Sequence, residues 1–374
     1  MPRILTLLVL AAVLALAPAA FAAGPRIDAR AYLVEDGRTG EVLLAQNPAR
    51  RVPVASLTKL MTVLLTLEHT RPTDLVTISA EAAAVGESSV PLRAGEQLTV
   101  RDLLEAALIQ SANDAAWALA EHVGGGSEQR FVSMMNRRAR QLGLADSHFV
   151  RPDGLDTAGH VSSARDVTTL ARILMQKPLV RQIVRMRDAT IAGGRRVHTW
   201  NDLLGSFPGL VGVKTGHTAG AGWSEVAAAR RPGVTVYATV LGSPGRSTRN
   251  ADLVELLRWG LSRFRVAPVV SATHVYAEAE TSYGEGKLAL VAPRPLRRAV
   301  LVERPLVERV VAPMGVELPV RKGDKLGEVR VYERGRLLAR SPLVASRSIG
   351  RPGALDRTGW YIGRTAHNMW RWVS

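Results

Sequence analysis

The sequence contains no cysteine among its 374 residues. This absence excludes a thiol nucleophile, a disulfide framework and thiolate metal sites. The eight histidines are scattered and never follow a His-x-x-x-His spacing, so the sequence predicts no metal site. We likewise expect no cofactor.

Long hydrophobic runs are lacking beyond the N-terminus, and the chain contains no internal repeat. At the start, Arg3 precedes an apolar stretch, and Ala20-Phe21-Ala22 has the small-x-small pattern of a cleavage site. We predict that residues 1–22 are an export signal and that the mature protein acts outside the cytoplasm. The alternative is an uncleaved N-terminal anchor helix. No later stretch is apolar enough to span a bilayer.

Acidic residues are few compared with basic residues, which gives a formal net charge of +16. Nucleic acid is the obvious partner for such a charge, but export argues against it, and we expect no nucleic-acid partner. Anionic cell-surface polymers and phospholipid headgroups are better candidates. The alternative is that dispersed arginines only keep the protein soluble.

The first domain combines strand and helix patterns. Residues 30–47 form two apolar runs around a Gly- and Asp-rich turn, which predicts a hairpin. Helix-spaced apolar residues then recur over 57–65, and further helices are predicted up to about residue 176. Residues 210–242 resemble strands separated by glycine turns, and 249–264 predict a closing helix. The sequence therefore predicts an α+β domain whose sheet comes from both ends of residues 23–267.

The composition changes near Ala267-Pro268. Residues 268–350 contain short β-type segments punctuated by Gly and Pro, which predict a small all-β sandwich without a chemical site. Residues 351–374 are predicted to form an amphipathic helix that carries tryptophans and arginines, a pattern typical of an interfacial membrane anchor. The alternative is a terminal helix packed on its own protein.

Ser56 stands three residues before Lys59 in "ASLTKLMT". Residues at i and i+3 share a helix face, so the hydroxyl and the amine can meet there. A serine becomes a nucleophile when a base takes its proton, and lysine can be that base if burial lowers its pKa. A single Ser-x-x-Lys is weak evidence, because a solvated helix lysine is the more common case.

Two later motifs strengthen this hypothesis. "SAND" places Ser111 and Asn113 where two helical patterns break, although both could simply be capping residues. "VKTGHT" places Lys214 in a strand-like segment, where a lysine could simply protect a sheet edge. Ser-x-x-Lys, Ser-x-Asn and Lys-Thr-Gly in this order are the motif set of penicillin-binding proteins and class A β-lactamases.

The sequence resembles the low-molecular-mass penicillin-binding proteins, which are serine-type D-Ala-D-Ala carboxypeptidases. The resemblance includes the segments "DGLDTAGHVSSARD" and "LLRWGLSRF" and is most specific in residues 26–265. It implies a penicillin-binding/β-lactamase-like transpeptidase domain, an antiparallel sheet with a helical cluster, followed by the β-rich domain and a membrane anchor. It also implies peptidoglycan stem peptides as substrates, a role in cell-wall maturation, β-lactams as covalent inhibitors, and peripheral attachment at the periplasmic face of the cytoplasmic membrane.

The resemblance implies the following catalytic roles. Ser56 would attack the carbonyl between the two terminal D-alanines, and Lys59 would accept its proton. Ser111 would relay the proton to the leaving D-alanine. Backbone N–H groups of Ser56 and His217 would form the oxyanion hole.

The resemblance also implies a binding site for the end of the substrate. Asn113 would hydrogen-bond the peptide chain, while Lys214, Thr215 and Arg249 would hold the terminal carboxylate. Gly216 would let the substrate approach the strand closely.

One residue departs from the family pattern. Better-known members carry a basic residue before an Asn upstream of Lys-Thr-Gly, whereas Trp200 precedes Asn201 here. Two alternative functions remain at this point. A β-lactamase would need a carboxylate that activates water, and no Glu-x-x-x-Asn element lies between Ser111 and Lys214. A catalytically silent cell-wall-binding protein is disfavoured by the intact motifs.

Overall fold

The computed structural model describes residues 7–14, 24–354, 358 and 360. The rest of the predicted signal and nearly all of the predicted terminal helix lie outside the described residues. Within them, the strands are β1 (Leu7–Leu14), β2 (Ala31–Asp36), β3 (Glu41–Gln46), β4 (Leu75–Thr77), β5 (Gln97–Thr99), β6 (Asp188–Ile191), β7 (Arg195–His198), β8 (Leu210–Thr218), β9 (Gly222–Arg231), β10 (Val234–Ser243), β11 (Phe264–Val270), β12 (Val275–Thr281), β13 (Lys287–Val291), β14 (Leu296–Leu301), β15 (Leu306–Pro313), β16 (Gly315–Val316), β17 (Lys325–Glu333) and β18 (Arg336–Ala345). The α-helices are α1 (Lys59–His69), α2 (Ala80–Ala83), α3 (Val100–Glu105), α4 (Asn113–Val123), α5 (Glu128–Gln141), α6 (Ala164–Leu174), α7 (Pro178–Ile183) and α8 (Arg246–Ser262).

The main sheet of the first unit has five antiparallel strands in the order β3-β2-β10-β9-β8. The hairpin β2–β3 comes from the start of the unit and the other three strands from its end. The predicted α+β arrangement, with a sheet drawn from both ends, is therefore confirmed. The strand that carries Lys-Thr-Gly, β8, is an edge strand of this sheet.

Helix α1 lies in the middle of the helical cluster. Leu60, Met61, Val63 and Leu64 on its successive faces are all at most 1% exposed. A helix that is apolar all round is a buried helix, because every face contacts other elements. The same cluster of buried side chains includes residues of α3, α4, α5 and α6. This burial continues to the first residue of α1, which is Lys59.

Helix α8 packs against the sheet. Leu253, Leu256 and Leu257 are fully buried, as their spacing predicted. A Cβ at Gly260 would lie 2.8 Å from a methyl carbon of Val34, so a glycine is needed for this close approach. The helix ends at Ser262, and Phe264 begins β11 instead of continuing the predicted helix.

The second unit begins at Arg263 and is rich in β-structure, as the sequence predicted. Its large sheet has the order β1-β15-β17-β18-β13-β12-β16, and β11 and β14 form a second sheet. Side chains of both sheets share one hydrophobic core, which is the arrangement of a sandwich. Strand β1 lies within the predicted export signal and pairs antiparallel with β15. Removal of residues 1–22 remains a prediction, and it would leave β15 as an edge strand.

No helix in the described part of the chain is both long and apolar enough to cross a membrane. The predicted limits of the signal, the two domains and the terminal anchor remain predictions.

Candidate active site

Ser56 lies in a single 3₁₀ turn, Ala55–Thr58, directly before α1. Lys59, the first residue of α1, has no exposed surface. Its Nζ lies 2.8 Å from Oγ of Ser56, 2.7 Å from Oδ1 of Asn113 and 2.8 Å from the carbonyl oxygen of Asp153. The structure therefore brings the predicted nucleophile and base into hydrogen-bond contact.

The protonation of Lys59 follows from these contacts. Burial lowers its pKa from 10.5 to about 8, although the carboxylates of Asp153 and Asp114 oppose this shift. A neutral amine has two N–H donors and one lone pair. The carbonyl groups of Asn113 and Asp153 can accept both donors, which leaves the lone pair for the Ser56 hydroxyl. The surroundings thus suit a lysine that acts as a proton acceptor.

Ser111 occupies a sharp break between two helical segments. The helix α3 continues into a π-helical turn, Ala106–Gln110, and Ser111 then adopts the left-handed conformation with φ of 68°. Non-glycine residues seldom adopt this conformation, and such strain is typical of functional positions. Nζ of Lys214 donates to Oγ of Ser111 over 2.8 Å. Two predicted site residues from distant parts of the chain are therefore in direct contact.

Lys214 is as deeply buried as Lys59, with 2% of its surface exposed. Burial, followed by the neighbouring charges of Lys59 and Arg249, lowers the pKa of Lys214 well below its ordinary value, against the opposing effect of Glu225. A cation at this position is costly unless an anion lies beside it. A carboxylate in the adjacent cleft would therefore favour the charged form.

Asn113 was predicted to hydrogen-bond the substrate. Its side chain accepts from Lys59, and Nδ2 donates to the carbonyl oxygen of Gly86 over 3.1 Å. Asn113 begins α4, yet no side chain caps this helix, so capping does not explain the residue. One N–H of the amide remains available for a substrate.

Gly216 lies where β8 passes the turn that carries Ser56. A Cβ at Gly216 would lie 3.0 Å from the carbonyl oxygen of Val54 and 3.1 Å from the backbone nitrogen of Ser56. The sequence suggested that this glycine makes room for the substrate, whereas its nearest neighbour in the structure is the nucleophile's own turn. The absent side chain allows the strand and the turn to approach each other.

The other end of the site contains an ion network around Arg249, whose side chain is 1% exposed. Its Nε lies 3.2 Å from Oε2 of Glu225, an ion pair without a well-aligned hydrogen bond. Its guanidinium also contacts Asp202 at 3.1 Å and Asn250 at 2.6 Å. Burial raises the pKa of Glu225 to about 7, while hydrogen bonds from Arg246 and Asn250 lower the pKa of Asp202 to about 2.

Arg246 and Arg249 of this network, together with Ser56 and Ser111, line a cleft of about 360 Å³. Its lining residues are Ser56, Glu87, Ser88, Ser111, Trp200, Thr215, Gly216, His217, Trp223, Arg246 and Arg249. His217 is exposed and stacks on Trp223, with ring centroids 4.0 Å apart. Trp200, to which the sequence assigned no role, is 48% exposed and lies in the wall of this cleft.

Sequence reasoning missed Asp153, Asp202, Glu225 and Arg246. Glu225 gave a usable signal, because it is an acidic residue within the otherwise apolar segment of β9. The other three lie in loops or at a helix start and gave no distinguishing pattern. The residues that the structure describes contain no grouping of three or more His, Asp or Glu side chains able to hold a metal ion.

A buried lysine beside a serine, at one end of a cleft whose other end is cationic, defines a serine enzyme that transfers acyl groups from an anionic substrate. The S11 peptidase family model, described as D-alanyl-D-alanine carboxypeptidase, matches residues 18–245. The chain therefore belongs to the D-alanyl-D-alanine carboxypeptidase family.

Individual proteins agree with this assignment. The D-alanyl-D-alanine carboxypeptidase DacF of Bacillus subtilis (strain 168) is 31% identical, covering 94% of this chain and 96% of that protein. The crystal structure of penicillin binding protein 5 from Haemophilus influenzae is 29% identical and has a TM-score of 0.63, covering 88% of this chain and 100% of that one. Ampicillin-bound penicillin-binding protein D2 from Listeria monocytogenes is 32% identical and has a TM-score of 0.57, covering 63% of this chain and 98% of that one.

Substitution of Gly216 by alanine tests the contact between strand and turn. The added methyl group must push the Ser56 turn away from β8, so we expect kcat/KM for acylation to fall about tenfold or more, since small displacements at a reacting centre are costly. Gly350→Ala is the control, because nothing lies within 4 Å of a Cβ there. Equal rates for the two variants would contradict this interpretation.

Proposed function

We propose that the protein removes the terminal D-alanine from peptides ending in D-Ala-D-Ala through an acyl-enzyme on Ser56. The observation that carries this proposal is the 2.8 Å contact between Ser56 and the buried Lys59, within a chain of the D-alanyl-D-alanine carboxypeptidase family. Peptidoglycan stem peptides are the substrates, and β-lactams are covalent inhibitors.

Acylation begins when Oγ of Ser56 attacks the carbonyl carbon between the two D-alanines. Its proton passes to the neutral Lys59, and the carbonyl oxygen becomes an oxyanion. Backbone N–H groups of Ser56 and His217 bind this oxygen, and such donors commonly contribute about 10²–10³ in rate. As the C–N bond breaks, the proton returns through Ser111 to the amine of the leaving D-alanine.

Deacylation repeats these steps with water as the nucleophile. Lys59 accepts a proton from the water while its oxygen attacks the ester carbon, and the bond to Ser56 breaks. The products are the shortened peptide and the free hydroxyl. A β-lactam acylates Ser56 in the same way, but its leaving nitrogen stays attached to the acyl group, so the adduct persists.

The substrate's terminal carboxylate is held by Lys214, Thr215 and Arg249, as the family resemblance implies. The support for this is that Thr215 and Arg249 line the cleft, and that the buried Lys214 contacts Ser111 in the cleft wall and needs an anion to be charged. Asn113 contributes its remaining amide N–H to the peptide chain.

The protein is proposed to work outside the cytoplasm, attached to the periplasmic face of the cytoplasmic membrane. The signal pattern in residues 1–22 and the tryptophan- and arginine-bearing segment 351–374 support this location.

Ser56→Ala should abolish both D-alanine release and covalent labelling by fluorescent penicillin, since it removes the hydroxyl that contacts the buried Lys59. Both are measured on the full chain, with circular dichroism as the check on folding. Persistent labelling of this variant would overturn the assignment. Rapid release of hydrolysed penicillin by the unaltered protein would instead identify a β-lactamase.

The pH dependence of acylation should follow Lys59. Because its neutral form is the base and its pKa is about 8, kcat/KM should rise about tenfold per pH unit below 8 and then level off. Lys59→Arg should be inactive at every pH, because guanidinium does not deprotonate in proteins. Stopped-flow penicillin acylation measures both effects.

Two neighbours, Glu225 and Lys214, also have shifted pKa values, and each has a control variant. Glu225→Gln removes the carboxyl group whose pKa is raised to about 7, and Lys214→Arg keeps a positive charge at all pH values. The rise toward pH 8 should survive in both. If the rise of kcat/KM with pH disappears in one variant, the residue replaced in that variant is the group that titrates.

Removal of residues 356–374 should release the protein from anionic liposomes in a flotation assay without lowering hydrolysis of a short soluble peptide. Each large apolar side chain buried in the interface contributes about 1.5–3 kcal/mol, and arginines add attraction to anionic lipid. Equal flotation of the truncated and full-length chains would place the anchor elsewhere, with an uncleaved N-terminal segment as the alternative.

A further inference from the structure

The cleft has two arginines at its cationic end, and they differ in availability. The side chain of Arg249 is 1% exposed, and its guanidinium already contacts Asp202, Asn250 and Glu225. The side chain of Arg246 is 39% exposed and also lines the cleft. Of the two, Arg246 is the more accessible cation for a substrate arriving from solvent.

Arg246 is held in a defined position from three sides. Two of its nitrogen atoms donate to the carboxylate of Asp202 over 2.8 Å and 2.5 Å. The centre of its guanidinium lies 5.6 Å from the ring centroid of Trp200 and 6.0 Å from that of Trp223. These distances are within the range of cation–π attraction, which is strongest for tryptophan. A side chain fixed in this way loses little entropy when it binds an anion.

Trp200 connects this arginine to the catalytic end of the site. Its Nε1 donates to the carbonyl oxygen of Gln110 over 2.9 Å, and Gln110 immediately precedes Ser111. The indole is therefore anchored at one edge while its face contacts Arg246. A half-exposed tryptophan with both contacts is better explained by a binding role than by packing in the core.

Two arginines and two carboxyl groups are in contact at this end of the cleft. Arg246 and Arg249 both pair with Asp202, and Arg249 also pairs with Glu225. Burial raises the pKa of Glu225 to about 7, and its protonation leaves a net positive charge on the four groups. A carboxylate bound here would meet this charge and would also favour the charged form of the buried Lys214.

We propose that Arg246 joins Lys214, Thr215 and Arg249 in binding the free C-terminal carboxylate of the substrate, with Trp200 and Trp223 as its positioning residues. Arg246 would then set the preference for peptides that end in a carboxylate over those that end in an amide. This inference rests on the proposed carboxypeptidase function and adds to it a binding residue outside the three sequence motifs.

The test compares an acyl-D-Ala-D-Ala peptide with the same peptide ending in D-alaninamide. Arg246→Gln should lower kcat/KM for the free acid about 10- to 100-fold, mainly through KM, since charged hydrogen bonds are lost from ground and transition states alike. The amide should lose far less, so the preference for the acid should fall at least about fivefold. Arg258→Gln is the matched control, because Arg258 lies on the same helix and its side chain is 69% exposed.

The Arg246→Lys variant separates the effect of the positive charge from the effect of the contact with Asp202. A lysine keeps the positive charge but not the two-pronged contact with Asp202, so it should restore part of the preference for the acid. If lysine and glutamine variants lose the same preference, Arg246 acts only by holding Asp202, and the proposal is wrong. Trp200→Leu should raise KM for the acid more than for the amide.

Failure of this inference can be distinguished from failure of the function. If the unaltered protein cleaves neither peptide, the carboxypeptidase proposal fails. If it prefers the free acid and Arg246→Gln retains that preference with a native circular dichroism spectrum, the assignment of Arg246 is overturned.

Discussion

The burial of the Lys59 amine is the constraint on which the rest of the active site depends. An ammonium group inside a packed cluster of helices is costly unless it is paired, so the fold must either solvate it or neutralise it. The structure supplies two carbonyl acceptors, from Asn113 and Asp153, and one hydroxyl, from Ser56. These partners come from three separate segments. Hydrogen bonds to Lys59 therefore hold the start of α4 and the loop around Asp153 next to α1.

The same constraint explains the irregular backbone around the site. Ser56 lies in a 3₁₀ turn at the start of α1, and the left-handed Ser111 ends the helical segment that begins with α3. In these positions the hydroxyl groups of Ser56 and Ser111 contact Lys59 and Lys214. The well-packed helices on either side stabilise this strained backbone, and most of their apolar residues are fully buried.

Much of this arrangement could be predicted from the sequence, because its signals are local. The i, i+3 spacing of Ser56 and Lys59, the short segments between glycine turns that form β8 to β10, and the leucine spacing of α8 are all short-range patterns. The contacts of Arg249 could not be predicted in this way. Asp202 and Glu225 are 47 and 24 residues away in sequence, and no periodic pattern relates a loop and a neighbouring strand to a helix start. Trp200 stood out as a departure from a family pattern, but its contact with Arg246 depends on the fold.

The roles proposed for the two buried lysines differ with their distance from the substrate's carboxylate. The positive charge of Lys59 is one of the causes that lower the pKa of Lys214, and the coupling between such groups is mutual. A charge on one lysine therefore disfavours a charge on the other. Lys59 lies beside Ser56, whereas Lys214 lies beside Thr215 at the end where a carboxylate would bind. A carboxylate bound there would favour the charged form of Lys214, and this charge would in turn favour a neutral Lys59 beside Ser56. Substrate binding would then assist the activation of the nucleophile.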